Sequence, residues 1–342
     1  MSLLKAPGPA QEAGQRSYQN PERPPGSSCC NNAIMAGRPL VILAEPIEAD
    51  AESWLGSRVQ LVASAPGEDD FVEHLPQAVG IVVRTSTRVD EHLLSSAPNL
   101  RVVARAGVGL DNIDVEACGA RSIKVLSTPE ANTQAVVEYV IAIITNELRP
   151  RTPVSEAVDA GTWMSLRSGT HAARQMDTLC LGILGFGRIG SRVGKIARAI
   201  GFDTIYADLL DIPDRKRNGA RPVGIEELLT ASDVLSIHVD GRDANRGLLG
   251  AEELGLLKDD VLLVNTSRGF VLDTKALLER LKACPAMHAV LDVHEEEPIP
   301  STCPLLGLSN TTLLPHAGAR TGKALADMSS VVKDLARHLG VE

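Results

Sequence analysis

The segment from Thr178 to Asp211 restricts the possible folds of this chain more than any other stretch. An apolar run at residues 181–184 leads into a Gly-x-Gly-x-x-Gly motif at residues 185–190. An amphipathic stretch follows, and then a second apolar run that ends at Asp208. A strand, a glycine-rich turn, a helix and a second strand in this order form a β-α-β unit. The sequence therefore predicts a parallel sheet covered by helices.

Each glycine of this motif has a physical role. Gly185 allows a tight turn off the strand, Gly187 lets the backbone approach a pyrophosphate, and Gly190 lets the helix pack closely on the strand. The first turn of the helix offers free N–H groups and the positive end of its dipole to the phosphates. Asp208 lies about 18 residues after Gly190, where an acid can accept both ribose hydroxyls. A purely structural turn would account for the glycines but not for the acid, so the segment predicts a dinucleotide site.

Length and composition indicate two domains and disfavour several functional classes. The 342 residues exceed one ordinary domain. The aromatic content of 3% and the many small and branched aliphatic residues suit strands covered on both faces. The net charge of −9 disfavours a nucleic-acid surface. No apolar run approaches the ~20 residues of a membrane span, and the six cysteines have neither C-x-x-C nor paired spacing. A cytoplasmic protein with reduced thiols and no membrane partner is expected.

Residues 1–36 differ in composition from the rest of the chain. They are rich in Pro, Gly, Gln, Ser and Asn and show no periodicity. Such a segment buries too little apolar surface to fold alone, so it is predicted to be a disordered extension without an assigned function. Met35 directly precedes a stretch that begins like a folded domain, which makes it a candidate start.

Apolar runs alternate with amphipathic stretches along the rest of the chain, as in parallel sheets. Before the nucleotide unit, strands are predicted at 40–43, 59–62, 81–83, 102–104 and 123–126; after it, at 234–238, 261–264, 289–293 and 312–314. Helices are predicted at 132–148, 225–230, 251–257, 274–284 and about 322–339. The helix at 132–148 is apolar on more than one stripe, so it should be buried on two sides. The two successive arrays predict two doubly wound sheets with the active cleft between them.

Three polar residues follow predicted strands of the second array, where such sheets place their ligands. Arg268 carries a permanent charge that can grip a carboxylate through two parallel hydrogen bonds. His316 can exchange a proton near neutral pH, and Glu297 behind it would fix the tautomer. Taken singly, each has an ordinary interpretation: a surface ion pair for Arg268, a solvated acidic turn for residues 295–297, and one of eight histidines for His316. Their shared position beside a predicted dinucleotide site favours a catalytic role.

Several ordered motifs are similar to those of one enzyme family. They are Val-Arg-Thr-Ser-Thr at 83–87, Arg-Ala-Gly-Val-Gly-Leu-Asp-Asn-Ile-Asp at 105–114, the nucleotide unit, Asn-x-x-Arg-Gly at 265–269, Asp-Val-x-x-x-Glu-Pro at 292–298 and Pro-His at 315–316. From about Ala36 to its end, the chain resembles the D-2-hydroxyacid dehydrogenases, and most of all the catalytic portion of D-3-phosphoglycerate dehydrogenases. The resemblance implies reversible hydride transfer between NAD and a D-2-hydroxy acid.

The resemblance also implies an architecture and a set of site residues. It predicts an α/β chain with a flavodoxin-like substrate domain (37–129 plus 316–342) and a Rossmann NAD-binding domain (130–315). The implied catalytic residues are Arg268, Glu297 and His316. The implied cofactor residues are Val108, Gly185, Gly187, Arg188, Ile189, Gly190, Asp208, Thr266, Ser267, Asp292 and Gly318, and no metal is expected. The implied substrate residues are Arg84, Thr85, Ser86, Arg105, Val108, Gly109 and Arg268.

The substrate stays open at this stage. Arg84 and Arg105 could meet a phosphate, which puts a phosphoglycerate-type substrate slightly ahead of glyoxylate, hydroxypyruvate or other small 2-keto acids. Either arginine could equally form a structural ion pair. NAD is expected over NADP because Asp208 would repel a 2′-phosphate, although the basic residues 215–217 lie further along and weaken this argument.

Two predictions concern partners and biological role. Members of the family are commonly homodimers that pair through their nucleotide domains, and here the helix at 132–148 would serve that contact. Some relatives are NAD-sensing transcriptional corepressors that keep the catalytic residues. A turnover assay beside a pull-down with and without NADH would distinguish a corepressor from an enzyme.

Overall fold

The computed structural model describes residues 37–169 and 172–342. The predicted disorder of residues 1–36 concerns residues outside these ranges. Two parallel sheets with covering helices account for most of the described chain, so the predicted α/β class is confirmed. Every predicted strand is present, with its ends shifted by at most two residues.

The first sheet has five parallel strands in the order β2-β1-β3-β4-β5. This order is that of flavodoxin-like sheets, in which the order reverses between β1 and β3. All four residues of β1, β3 and β4 are buried because helices cover the sheet. The elements are β1 (Leu40–Leu43), α1 (Ala49–Gly56), β2 (Gln60–Ala63), α2 (Asp69–His74), β3 (Gly80–Val83), α3 (Glu91–Ser95), β4 (Val102–Arg105), α4 (Val115–Ala120) and β5 (Lys124–Leu126).

Two helices lead from the first sheet to the second. In α5 (Thr133–Leu148), Val136, Val137, Val140 and Ile144 face the core. Its opposite stripe, at positions 134, 138, 142 and 146, is exposed. The prediction that this helix is buried on two sides is therefore not met within one chain. A second helix, α6 (Ala160–Gly169), was not predicted, and none of its residues is buried.

The second sheet has seven parallel strands in the order β12-β11-β10-β9-β6-β7-β8. Read from β8, the order runs back through β7 to β6 and then on from β9 to β12, which is the Rossmann arrangement with its reversal between β6 and β9. The elements are β6 (Cys180–Leu184), α7 (Arg188–Ala199), β7 (Asp203–Ala207), α8 (Asp214–Arg217), β8 (Arg221–Pro222), α9 (Ile225–Ala231), β9 (Val234–Ile237), α10 (Ala251–Gly255), β10 (Leu262–Asn265), α11 (Thr274–Ala283), β11 (His288–Leu291) and β12 (Thr311–Leu313).

The chain then returns to the first sheet. The predicted helix at 322–339 is divided at Ser330 into α12 (Gly322–Ser329) and α13 (Val331–Leu339). Val331, Val332 and Leu335 of α13 pack with apolar residues of β1, β3 and β4. The C-terminal residues thus cover one face of the sheet that the N-terminal residues build, which brings the loop before α12 close to both sheets.

The predictions about membrane spans and about the cysteines can be compared with the described residues. None of the helices in residues 37–169 and 172–342 combines the length and apolar character that a bilayer crossing requires. The four cysteines in these ranges, Cys118, Cys180, Cys284 and Cys303, are free thiols that are buried or half-buried.

Candidate active site

His316 and Glu297 form a hydrogen-bonded pair after the last two strands of the second sheet. His316 Nδ1 lies 2.8 Å from Glu297 Oε2, and the other carboxylate oxygen, Oε1, accepts the backbone N–H of His294 at 2.9 Å. Burial alone would raise the pKa of Glu297, but the hydrogen bonds from His316 and from the His294 amide outweigh it and lower that pKa. An ionised Glu297 keeps the proton of the neutral imidazole on Nδ1, which leaves Nε2 as the proton acceptor.

The backbone of His316 is held in an unusual conformation. Its φ of 52° lies in the left-handed region, which a residue with a side chain adopts only when its surroundings compensate for the strain. The two following amides supply that compensation: Asp292 accepts the N–H of Ala317 at 2.8 Å and the N–H of Gly318 at 2.9 Å. Asp292, predicted as a cofactor residue, therefore also fixes the loop that carries His316.

Arg268 follows β10 and reaches toward the loops of the first sheet. Its Nε donates to Asp111 Oδ2 at 2.7 Å, and its Nη1 donates to the Ser267 carbonyl oxygen at 2.7 Å. Nη2 lies against Gly109, where a β-carbon would collide with it. Asp111 itself lies against Gly241, which likewise has no room for a side chain. The ion pair therefore requires glycine at both neighbouring positions, and it joins Arg268 to the loop of the implied substrate residues Val108 and Gly109.

Asp111 is one of the site residues that sequence reasoning missed. It belongs to the 105–114 motif, but its spacing alone gives no sign that it pairs with a residue 157 positions away. The ion pair is partly shielded from solvent, with side-chain exposures of 26% for Arg268 and 29% for Asp111. It fixes the direction of the guanidinium before any substrate binds.

Asn265 shapes the turn that carries Arg268. It is fully buried at the end of β10, and its Nδ2 donates to the Arg268 carbonyl oxygen at 2.9 Å. Its Oδ1 accepts both the N–H and the hydroxyl of Ser267. Ser267, predicted as a cofactor residue, thus has its hydroxyl engaged within the turn. Thr266 beside it has a buried Oγ1 that finds no hydrogen-bond partner among the residues that the structure describes.

The loop after β3 binds an acid of the chain itself. The backbone amides of residues 84–87 donate four hydrogen bonds to the Glu45 carboxylate, at 2.9 to 3.1 Å. Thr85 and Ser86, implied as substrate residues, therefore already have a partner for their N–H groups. Their contact with substrate stays a prediction, and the Glu45 contact shows that it would have to come from other atoms.

Replacing Glu45 by glutamine should destabilise the fold rather than the chemistry. Burial raises the pKa of Glu45, but hydrogen bonds from Thr87, Arg84, Ser86 and Thr85 together lower it below its ordinary value of 4.5. The stabilisation is therefore present above about pH 4.5 and is lost as the pH falls through the lower folded-state value. We expect the free energy of unfolding at pH 7 to fall by about 2–4 kcal/mol, because a neutral amide cannot satisfy four donors.

Urea unfolding of Glu45→Gln at pH 7 and pH 4 measures this effect. The difference from wild type should shrink at pH 4, because below about pH 4.5 the unfolded wild-type chain begins to take up a proton at Glu45, which lowers wild-type stability. Glu48→Gln is the matched control, since that side chain is exposed and caps nothing. Equal stability of the two variants would contradict a structural role for Glu45.

The two arginines that were predicted as substrate residues differ in how accessible they are to a ligand. Arg105 is only 7% exposed, and its Nε donates to Asn112 Oδ1 at 3.2 Å. Burial, with a smaller contribution from the charge of Arg268, lowers the pKa of Arg105 to about 10. Arg84 is half-buried and donates from Nη1 to the Pro46 carbonyl oxygen at 3.2 Å. Arg105 is therefore part of the protein interior, whereas Arg84 stays close to solvent.

The glycine-rich turn has the shape that a dinucleotide needs. Gly185 has a φ of +90°, and a β-carbon there would lie 2.8 Å from the His238 backbone. A side chain at Gly190 would collide with the Gly185 carbonyl oxygen, whereas the space beside Gly187 is open. Helix α7 begins at Arg188. Because the residue before it, Gly187, has no side chain that could cap the helix, the first-turn amides are left for an anion.

Asp208 occupies the predicted place at the end of β7. Its carboxylate accepts the amide of Phe186 at 2.6 Å and the amide of Leu210 at 2.8 Å. The bond from Phe186 attaches the acid to the glycine-rich turn, and its contact with a ribose stays a prediction. Together with the unpartnered hydroxyl of Thr266 and the open side of Gly187, this arrangement fits NAD.

Two other features lie apart from these residues. A cavity of about 610 Å³ is lined by Arg149, Met164, Arg167, Ser168, Ala172, Arg174 and Gln175. Arg174 there pairs with Asp260, and no predicted catalytic or cofactor residue is among the lining, so the cavity is not assigned to the reaction. Asp70, Glu73 and His74 on α2 bring possible metal-ligand atoms within 4.8 Å of one another, but the two acids are exposed. The predicted absence of a metal stays a prediction.

Comparison with known proteins decides the family. A sequence model described as D-isomer specific 2-hydroxyacid dehydrogenase, NAD binding domain, matches residues 141–318. This chain belongs to the D-isomer specific 2-hydroxyacid dehydrogenase family. Its members are oxidoreductases that use NAD, and the matched residues of this dehydrogenase include the glycine-rich turn described above. The predicted family and cofactor are thus confirmed.

Relatives with different substrates resemble this dehydrogenase to similar degrees. It is 38% identical to a glyoxylate reductase of Aeropyrum pernix over 79% of this chain and 82% of that one. It is 32% identical to a D-3-phosphoglycerate dehydrogenase of Archaeoglobus fulgidus over 86% of this chain, but it spans only 56% of that protein. Among solved structures, a D-lactate dehydrogenase from Aquifex aeolicus, complexed with NAD and lactic acid, matches with a TM-score of 0.75. It is 26% identical, over 88% of this chain and 96% of that one.

Proposed function

We propose that this dehydrogenase interconverts a D-2-hydroxy acid and its 2-keto acid, with Arg268, Glu297 and His316 as catalytic residues. The observation that carries the proposal is the 2.8 Å contact between His316 Nδ1 and Glu297 Oε2 at the same edge of the sheet as the glycine-rich turn. NAD, when bound, accepts or donates the hydride. His316 Nε2 takes the hydroxyl proton during oxidation and returns it during reduction, and Glu297 stabilises the imidazolium that forms.

Arg268 is proposed to hold the substrate carboxylate. Its Nε and Nη1 are bonded to Asp111 and Ser267, whereas Nη2 makes no hydrogen bond to the described residues and lies against Gly109. A carboxylate beside this nitrogen would receive a charge-assisted hydrogen bond and would lie next to the Gly109 backbone. Val108 and Gly109 are retained as substrate residues on this ground.

For the substrate we propose a small 2-keto acid such as glyoxylate or hydroxypyruvate, ahead of a phosphoglycerate-type acid. The sequence favoured the opposite order because two arginines, Arg84 and Arg105, could meet a phosphate. The burial of Arg105 and its bond to Asn112 support the reverse, since a phosphate would have only Arg84 of this pair. The identity with the glyoxylate reductase over most of both chains supports the same order.

An NADH absorbance assay across glyoxylate, hydroxypyruvate, pyruvate and phosphohydroxypyruvate tests the proposed function. We expect the highest kcat/KM with glyoxylate or hydroxypyruvate. Arg84→Ala should leave those values within about twofold, because a distant cation contributes little to an uncharged end of the substrate. A preference for phosphohydroxypyruvate that disappears in Arg84→Ala would support the phosphoglycerate-type reaction instead. No turnover with any 2-keto acid would contradict the proposed function.

We also propose a homodimer that covers the exposed surface of α5 and α6. Trp163 and Met164 on α6 are 52% and 57% exposed, which is unusual for large apolar side chains on one short helix. Sedimentation at micromolar concentration should show twice the chain mass.

The domain bounds 37–129 plus 316–342 and 130–315 are retained as proposals, supported by the packing of α13 on the first sheet. A cytoplasmic location is likewise a proposal.

A further inference from the structure

Asp292 is a buried carboxylate with three hydrogen-bond donors around it. It is 1% exposed at the end of β11. Two of its donors are the amides of Ala317 and Gly318, as described above. The third is the phenol of Tyr139, whose hydroxyl donates to Asp292 Oδ1 at 3.2 Å. Tyr139 belongs to α5, 153 residues away in sequence, and it belongs to none of the motifs that identified the site.

The surroundings of Tyr139 suit a fixed donor. Burial first, and then the charge and hydrogen bond of Asp292, raise the pKa of Tyr139 to about 12, so the phenol keeps its proton throughout the working pH range. A β-carbon at Gly318 would lie 3.1 Å from Asp292 Oδ2 and 3.4 Å from Tyr139 Cδ1. The phenol ring therefore packs against the same loop that its hydroxyl reaches through Asp292.

We propose that Tyr139 is a positioning residue that holds Asp292, and through Asp292 the loop that keeps His316 in its left-handed conformation. The α5 phenol bonds to the carboxylate, the carboxylate accepts the amides of residues 317 and 318, and these two residues directly follow His316 in the chain. A left-handed, non-glycine residue relaxes when its neighbours are released. The consequence for catalysis rests on the proposed role of His316, whereas the restraint on the loop does not.

Tyr139→Phe removes only the hydroxyl, and Tyr206→Phe is its matched control. The Tyr206 hydroxyl is also buried but has no hydrogen-bond partner among the described residues, so its loss should leave kcat within about twofold. We expect Tyr139→Phe to lower kcat roughly 3- to 30-fold, because one charge-assisted hydrogen bond no longer supports the catalytic geometry. KM for the 2-keto acid should change less than about twofold, since Arg268 is not touched.

Amide hydrogen exchange tests the restraint without using activity. Tyr139→Phe should exchange faster than wild type in peptides that cover residues 315–320, and at the wild-type rate in peptides that cover residues 185–195. Tyr206→Phe should leave the first region unchanged. Unaltered exchange at 315–320 in Tyr139→Phe would overturn the proposal, and it would do so even if the protein turned over none of the acids in the panel.

A double-mutant cycle shows whether Tyr139 acts through Asp292. In an Asp292→Ala background, adding Tyr139→Phe should change kcat by less than about twofold, because the phenol has lost its acceptor. Equal effects of Tyr139→Phe in both backgrounds would overturn the proposal. So would a rise in KM with unchanged kcat, which would assign Tyr139 to substrate binding.

Discussion

Replacing His316 by asparagine is expected to lower kcat by roughly 10²- to 10⁴-fold, with the affinity for NADH nearly unchanged. Asparagine is chosen because it tolerates the left-handed φ of 52° better than alanine does, so the backbone is disturbed least. The variant keeps a polar side chain but has no group that exchanges protons near neutral pH. Steady-state kinetics with the best 2-keto acid, together with a fluorescence titration of NADH, measures both quantities.

His74→Asn is the matched control for this variant. His74 lies on α2, away from the second sheet, and its Nδ1 is bonded to the Asp70 carbonyl oxygen of the same helix. Its replacement should leave kcat within about twofold, as expected for a surface position. Wild-type turnover in His316→Asn would remove the imidazole from the mechanism. A parallel loss of NADH affinity would instead indicate that the loop holding His316 had collapsed.

Replacing Arg268 by lysine is expected to lower kcat/KM for the 2-keto acid by a factor of about 30 to 4,000, or roughly 2–5 kcal/mol. Lysine keeps one positive charge but loses the planar fork, so it cannot bond Asp111 and a substrate carboxylate at the same time. Asp111 would then lack its partner in a partly buried position. The loss should fall on both KM and kcat, because the carboxylate contact positions the keto group in the ground state and in the transition state.

Arg121→Lys provides the comparison for the loss of an arginine fork. Arg121 pairs with Glu91 through two hydrogen bonds at 2.6 and 3.0 Å on the surface of the first sheet's helices. Its replacement should leave kcat/KM within about twofold, because exposed ion pairs contribute little. If Arg268→Lys fell within that range as well, the carboxylate would have to be held by other groups.

Sequence periodicity predicted every strand of the described chain except β8. The central strands β1, β3 and β4 of the first sheet, and β6, β9 and β10 of the second, are largely apolar runs because helices cover both faces, so each run could be recognised without knowing its neighbours. Helix α6 was not predicted because none of its residues is buried, so no apolar stripe marks it in the sequence. Strand β8 was not predicted because it has only two residues, one of which is Pro222. The break at Ser330 left no interruption in the apolar pattern of the last helix.

The site residues likewise fall into those that the sequence predicted and those that it missed. Gly187, Asp208 and His316 were found because motifs with local spacing carry them. Glu45, Asp111 and Tyr139 were missed because each acts through a partner at least 39 positions away, and a single sequence contains no record of such contacts. Arg105 shows the opposite error, since a cation that looked available for a ligand is enclosed by the protein.

The four amides that enclose the Glu45 carboxylate have a wider consequence. They stand where the strand order of the first sheet reverses, which is where open α/β sheets recruit ligands from solution. By satisfying these donors with an acid that is part of the chain, the protein closes that location to freely diffusing anions. In the substrate region, competition by small acids such as acetate is thereby confined to the guanidinium of Arg268, whereas phosphate can also meet the first-turn amides of α7.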